Sequence, residues 1–118
     1  MRICVENKTL IVTVDEEFSY ENASMIKKEI MGKISNVIEE VVFDFEHLQF
    51  FDSSGIGIII AMLKKVKENQ NGKGKIIILH AKKSIIKMLW LVRLHHMFQI
   101  EGMEVFLEGM KDQKKGYQ

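Results

Sequence analysis

Proline is missing from this sequence altogether, although an average usage of about 5% would place several in a chain of 118 residues. Turns must therefore rest on Asn, Gly and Asp. Cysteine is nearly missing as well. The single Cys4 cannot form an intrachain disulfide, which agrees with a reducing compartment, and zinc ligation by a cysteine cluster is excluded. An excess of one charge is lacking too: 17 Lys plus Arg stand against 16 Asp plus Glu, so the net charge of +1 makes no electrostatic case for nucleic acid or a polyanionic substrate. Finally, there is no long hydrophobic run. The opening MRICVENK has no apolar core of a signal peptide, and the uncharged run Ser53 to Leu63 falls well short of the roughly 20 residues a membrane span needs. These absences predict a soluble, cytoplasmic protein with no membrane insertion.

What is present suits one globular domain. A hydrophobic share of 47% with 28% charged residues is ordinary for a soluble fold. A chain of this length buries about two-thirds of its unfolded surface in a single core. We read residues 1–110 as the domain and 111–118, KDQKKGYQ, as a polar C-terminal tail that frays.

The runs Arg2-Ile-Cys-Val5 and Leu10-Ile-Val-Thr-Val14, joined by polar Glu6 to Thr9, predict a β-hairpin. Ala23, Ile26, Ile30, Ile34 and Val37 recur at helical spacing, interrupted at Gly32. Val41 to Phe45 is a short buried strand, and after Gly55 the residues Ile56, Ile59, Ile60, Leu63 and Val66 share one helical face. That helix stops at Asn69-Gln-Asn-Gly-Lys-Gly74. Lys75 to His80 is a third strand of the buried kind. Ile85, Ile86, Leu89 and Val92 resume helical spacing, Phe98 to Ile100 makes a last short strand, and Met103 to Met110 a marginal helix. Strands alternating with helices imply a mainly parallel sheet.

The polar residues inside FFDSSGIGIII, Phe50 to Ile60, carry what chemistry the chain offers. Asp52 and Ser53 are favoured N-cap types, and Gly55 and Gly57 allow close packing at a strand-to-helix corner. A helix start also presents free amides and partial positive charge, so a phosphate on Ser53 or Ser54 would find donors. As a catalytic nucleophile the serine is poor, because Ser-Ser-Gly-Ile-Gly is not the Gly-x-Ser-x-Gly elbow and no base is placed by spacing. A dinucleotide site would need a third glycine, and a P-loop a Gly-Lys-Ser/Thr ending. His47, His80, His95 and His96 are scattered apart from the adjacent last pair, which cannot share one helix face. No catalytic residue, metal ligand or cofactor is expected.

The strand Val41-Val-Phe-Asp-Phe45, the short Leu48-Gln-Phe-Phe51, and Asp52-Ser-Ser-Gly-Ile-Gly57 opening a helix together resemble the signature of the STAS domain. That family includes bacterial anti-sigma factor antagonists and the cytoplasmic ends of sulphate transporters. The resemblance extends more loosely over the hairpin, the helix from Ala23, the Gly-Lys-Ile-Ile-Ile strand and the segment Leu94 to Ile100. It implies an α/β fold, a small mixed, mainly parallel sheet with flanking helices. In such antagonists the serine after the aspartate is phosphorylated by a partner that is both serine kinase and anti-sigma factor. The unphosphorylated form binds that partner and frees the sigma factor, and a phosphatase resets the switch. Carried over, Ser53 is the phosphoacceptor, Asp52, Ser54 and Gly55 form its loop, and Ser19, Tyr20, Glu21 and Asn22 lie at the partner surface. The chain would then be a switch and not an enzyme. The alternative within the fold is a binding subunit of a transporter ATPase of the lipid-trafficking type, acting without phosphorylation. Three positions depart from the family pattern. Glu16-Glu-Phe-Ser19 stands where antagonists usually carry a Gly-Glu-Leu-Asp type stretch, Lys82-Lys83 where a proline often precedes the third helix, and Arg93 where a glycine precedes the late Leu.

Overall fold

The computed structural model describes residues 1–115, with side chains through residue 112. Strands β1 (Arg2–Glu6) and β2 (Thr9–Thr13) are joined by the two-residue turn Asn7-Lys8, in which Asn7 takes φ 56°. Asn tolerates this left-handed conformation better than most residues, which suits a tight hairpin. The chain continues through β3 (Glu16–Phe18), α1 (Ala23–Met31), β4 (Glu40–Asp44), β5 (Leu48–Phe51) and α2 (Ser53–Asn69). It ends with β6 (Lys75–Leu79), α3 (Lys83–Leu91), a 3-10 turn at Leu94–His96, β7 (Gln99–Ile100) and α4 (Met103–Lys115).

The main sheet has the order β1-β2-β4-β6-β7, antiparallel at the hairpin and parallel at every other pairing. Parallel neighbours need long crossovers; α1, α2 and α3 lie within them. Register brings Leu10, Val41 and Ile76 into one row across the sheet and Val12, Phe43 and Ile78 into the next, all buried to 1% exposure or less. The expected mixed, mainly parallel fold with its N-terminal hairpin is therefore what forms.

Several element limits differ from the sequence reading. The helix from Ala23 stops at Met31, where Gly32 closes it, and so does not reach Ile34 or Val37. Ile34 and Ile38 are buried from the following loop, while Val37 is 63% exposed. An apolar spacing that matches a helix was here produced by a loop folding over the core. On α2 the buried face is Ile56, Ile59, Met62, Leu63 and Val66, and Ile60 turns partly outward. Val92 lies past the end of α3 and is exposed. Helix α4 runs five residues past Met110, through lysine and glutamine that favour helix. The expected polar tail, 111–118, therefore begins as helix, and its last three residues lie outside the described residues.

A second, two-stranded sheet escaped the sequence reading: β3 pairs in parallel with β5, with a register shift between Glu16 and Glu17. It holds Phe18 and Phe51 over Phe43 and Phe45. The four rings pack with centroids 5.5 to 6.3 Å apart, tilted or edge-on, arrangements that aromatic quadrupoles favour. This cluster is the floor beneath the β5–α2 corner.

Candidate functional site

Asp52 leaves β5 in extended backbone and caps α2, its Oδ1 accepting hydrogen bonds from the N–H groups of Ser54 (2.9 Å) and Gly55 (3.4 Å). Its Oδ2 accepts from the N–H of Tyr20 at 3.1 Å, across 32 residues of sequence. Burial works against the charge on this carboxyl, but the amides of Tyr20, Ser54 and Gly55 and the Ser54 hydroxyl outweigh it and hold the group below the ordinary aspartate value. Asp52 thus stays ionised at neutral pH and ties the β3–α1 turn to the helix start.

Ser53 is the first residue of α2 and is exposed, Ser54 is half-buried and Gly55 buried. Asp52 to Gly55 form the cap and first turn of α2, and two details differ from the sequence reading. The helix amides foreseen as phosphate donors are in part already taken, since Asp52 occupies those of Ser54 and Gly55. Gly57, foreseen as a close-packing glycine, faces open space: a Cβ there would meet nothing within 4 Å. Gly55 is the constrained one, because a Cβ would come within 2.6 Å of the Phe51 ring and 2.9 Å of the Phe18 carbonyl oxygen.

The turn at residues 19–22 lies against this corner, but not all of it faces outward. Ser19 is buried at 1% exposure, its hydroxyl donating to the Glu17 carboxylate and accepting from the N–H of Glu21 at 3.2 Å. Asn22 donates to the Glu17 carbonyl at 2.7 Å and accepts from the N–H of Ser19 at 2.9 Å. A short hydroxyl fits inside this tight turn and is consumed there, so Ser19 shapes the turn and offers no contact surface. The outward members are Tyr20, 81% exposed, and Glu21. Together with Ser24, Lys27, Ser54 and Ile58 they border an open depression between α1 and α2.

A second polar group was not foreseen. At the carboxyl ends of neighbouring strands, His80 Nδ1 lies 2.9 Å from Asp44 Oδ1, and the His80 N–H donates to Glu101 at 3.2 Å. The bond to Asp44 raises the affinity of His80 for its proton and, with the charges of Asp44, Glu101 and Glu46 acting in the same direction, outweighs the opposing effect of burial. Burial opposes the charge on Asp44 but is outweighed by the His80 bond, the Glu46 amide and the fields of His80 and His47, so its carboxyl is held below its ordinary value. Asp44, Glu46 and His80 each bring one ligand-type atom within 4.8 Å of the others. The hydrogen bond between Asp44 and His80 already accounts for the arrangement as an ion pair. Each residue closes or follows an apolar strand run in the sequence, but only the β4–β6 register makes them neighbours.

The hairpin-led parallel sheet and the exposed serine at its capped strand-to-helix corner define a small α/β domain with a polar corner on an aromatic floor. A family model for the STAS domain matches residues 2–108, and the chain belongs to the STAS domain family. Its structure is similar to that of the anti-sigma factor antagonist SpoIIAA in its unphosphorylated form, with a TM-score of 0.67 and 19% identity over 98% of this chain and 97% of that one. The phosphorylated form of SpoIIAA from Bacillus matches with a TM-score of 0.66 and 19% identity over 92% of this chain and 97% of that one. A candidate anti-sigma factor antagonist from Thermotoga maritima matches with a TM-score of 0.75 and 19% identity over 84% of this chain and 83% of that one. At such identities the likeness is one of fold.

Proposed function

We propose that this chain is a cytoplasmic partner-switching regulator that works by binding, without catalysing a reaction itself. Its partner is an anti-sigma factor with serine kinase activity, and phosphorylation of Ser53 switches the binding off. The observation that carries this reading is the position of Ser53: exposed, directly after Asp52, and beside the Tyr20–Glu21 turn that Asp52 holds in place. A kinase docked on the turn would have the hydroxyl within one continuous surface. Phosphate adds about −1.5 to −2 charges at neutral pH. Here it would stand beside a carboxylate that stays ionised and already uses two of the nearby amides. A partner surface fitted to a neutral hydroxyl would meet that charge without compensation, so binding weakens.

The test is intact-mass and phosphopeptide mapping of the chain isolated from its own cells, together with affinity capture using the native chain, Ser53→Ala and Ser53→Asp. The expected results are one phosphate on Ser53, absent from Ser53→Ala, and capture of an ATP-binding kinase free of its sigma factor that Ser53→Asp weakens at least about tenfold. No phosphate under any growth condition, with Ser53→Asp binding as well as the native chain, would sink the reading. Capture of a transporter ATPase instead would favour the phosphorylation-free alternative.

A further inference from the structure

The two edges of the main sheet are unlike. At one end β7 offers only Gln99 and Ile100; at the other β1 offers five residues in unbroken register with β2 and, among the described residues, has no strand on its outer side. Natural sheets protect edges by shortness, bulges, proline or charged side chains. Shortness protects β7, whereas β1 has no bulge or proline and carries charge only at its two ends, Arg2 and Glu6, of opposite sign. The two-residue turn makes Glu6 and Thr9 a hydrogen-bonded pair. By alternation the backbone groups of Arg2, Cys4 and Glu6 point to β2, and those of Ile3 and Val5 point outward, unpaired among the described residues.

The sequence of this edge, Arg-Ile-Cys-Val-Glu, complements itself when read against an antiparallel copy. Arg2 then lies opposite Glu6, Ile3 opposite Val5, and Cys4 opposite Cys4. Neither Arg2 nor Glu6 forms an ion pair among the described residues. Ile3 and Val5 sit beside the fully buried Val12 and Leu10 on the core face of the sheet; Ile3 packs partly against the core, whereas Val5 is 53% exposed.

We propose that β1 is a self-association edge, pairing with β1 of a second copy about a two-fold axis at Cys4 so that two five-stranded sheets become one. The outward amide and carbonyl of Ile3 bond those of Val5 in the copy, and the reverse. The apolar border residues cover each other, and two Arg2–Glu6 pairs close the ends. Cys4 falls in the non-hydrogen-bonded position, where facing Cα atoms are about 4.5 Å apart, within the range a disulfide spans. The exposed thiol reports on the register; it does not create it.

Sedimentation equilibrium in reductant tests this with the native chain, Arg2→Glu, Glu6→Arg, the double variant, and an equimolar mixture of the two single variants. The native chain is expected to dimerise. Each single reversal sets two like-charge pairs across the axis and should weaken the dimer about tenfold. The double variant and the mixture should both regain native association, which also shows that the variants fold. Mild oxidation with diamide should join native dimers through Cys4 and the single variants far more slowly. A native chain that stays monomeric at near-millimolar concentration, or a dimer indifferent to both reversals, would overturn the proposal.

Discussion

A methyl group added at Gly55 would press on the Phe51 ring at 2.6 Å and the Phe18 carbonyl at 2.9 Å, whereas one added at Gly57 would meet nothing within 4 Å. Gly55→Ala is therefore expected to cost about 1–3 kcal/mol by overpacking. Gly57→Ala should stabilise α2 by up to about 1 kcal/mol, the propensity difference between the two residues in an exposed helix. Urea unfolding of both variants decides it, and equal effects of the same sign would contradict this account of the corner. Two further residues carry backbone strain: Glu16 and Arg93 both take φ 62° in the left-handed region. That conformation costs a residue with a Cβ roughly 1–2 kcal/mol, partly offset because glycine loses more entropy on folding. Glu16→Gly and Arg93→Gly are each expected to gain about 0.5–1 kcal/mol in thermal or urea unfolding. A loss of stability in either would show that its side chain contributes more than its backbone costs.

At the scale of elements, the ends of β4, β6 and β7 are joined by charge: Asp44, His80 and Glu101 meet there, with Glu46 beside them and His47 acting on Asp44. The folded state raises the proton affinity of His80. Its contribution is therefore complete below the ordinary histidine value of about 6.5 and is lost as pH rises through the higher folded value. Asp44 is held low, so its contribution is present above the ordinary value of about 3.9 and disappears as pH falls through the lower folded one. The pair is worth most between those limits. Stability measured from pH 5 to pH 9 should fall more steeply above about 6.5 for the native chain than for Asp44→Asn. Parallel curves would remove the pair from any role in joining the strands. Most elements could be read from the sequence because each buries one face or runs apolar throughout. The failures came at places where periodicity misleads: Ile34 follows a helical spacing but belongs to a loop, and β3, only three residues long, is too short to show a period.

For the molecule as a whole, local pattern and tertiary register divide the work between them. The sequence by itself determined the alternation of strands and helices, the apolar rows of the sheet, and the position of Ser53 after a capping aspartate at a helix start. These follow from which residues must leave water and which can satisfy a helix end, and both are properties of near neighbours in the chain. The tertiary structure alone decided that Asp52 also holds the Tyr20 amide, that Gly55 and not Gly57 is the crowded position, and that β1 is an open edge among the described residues. Each of these depends on contacts between segments far apart in sequence, on the β3–β5 pairing or on the order of strands in the sheet, and no local pattern encodes which distant segment will arrive.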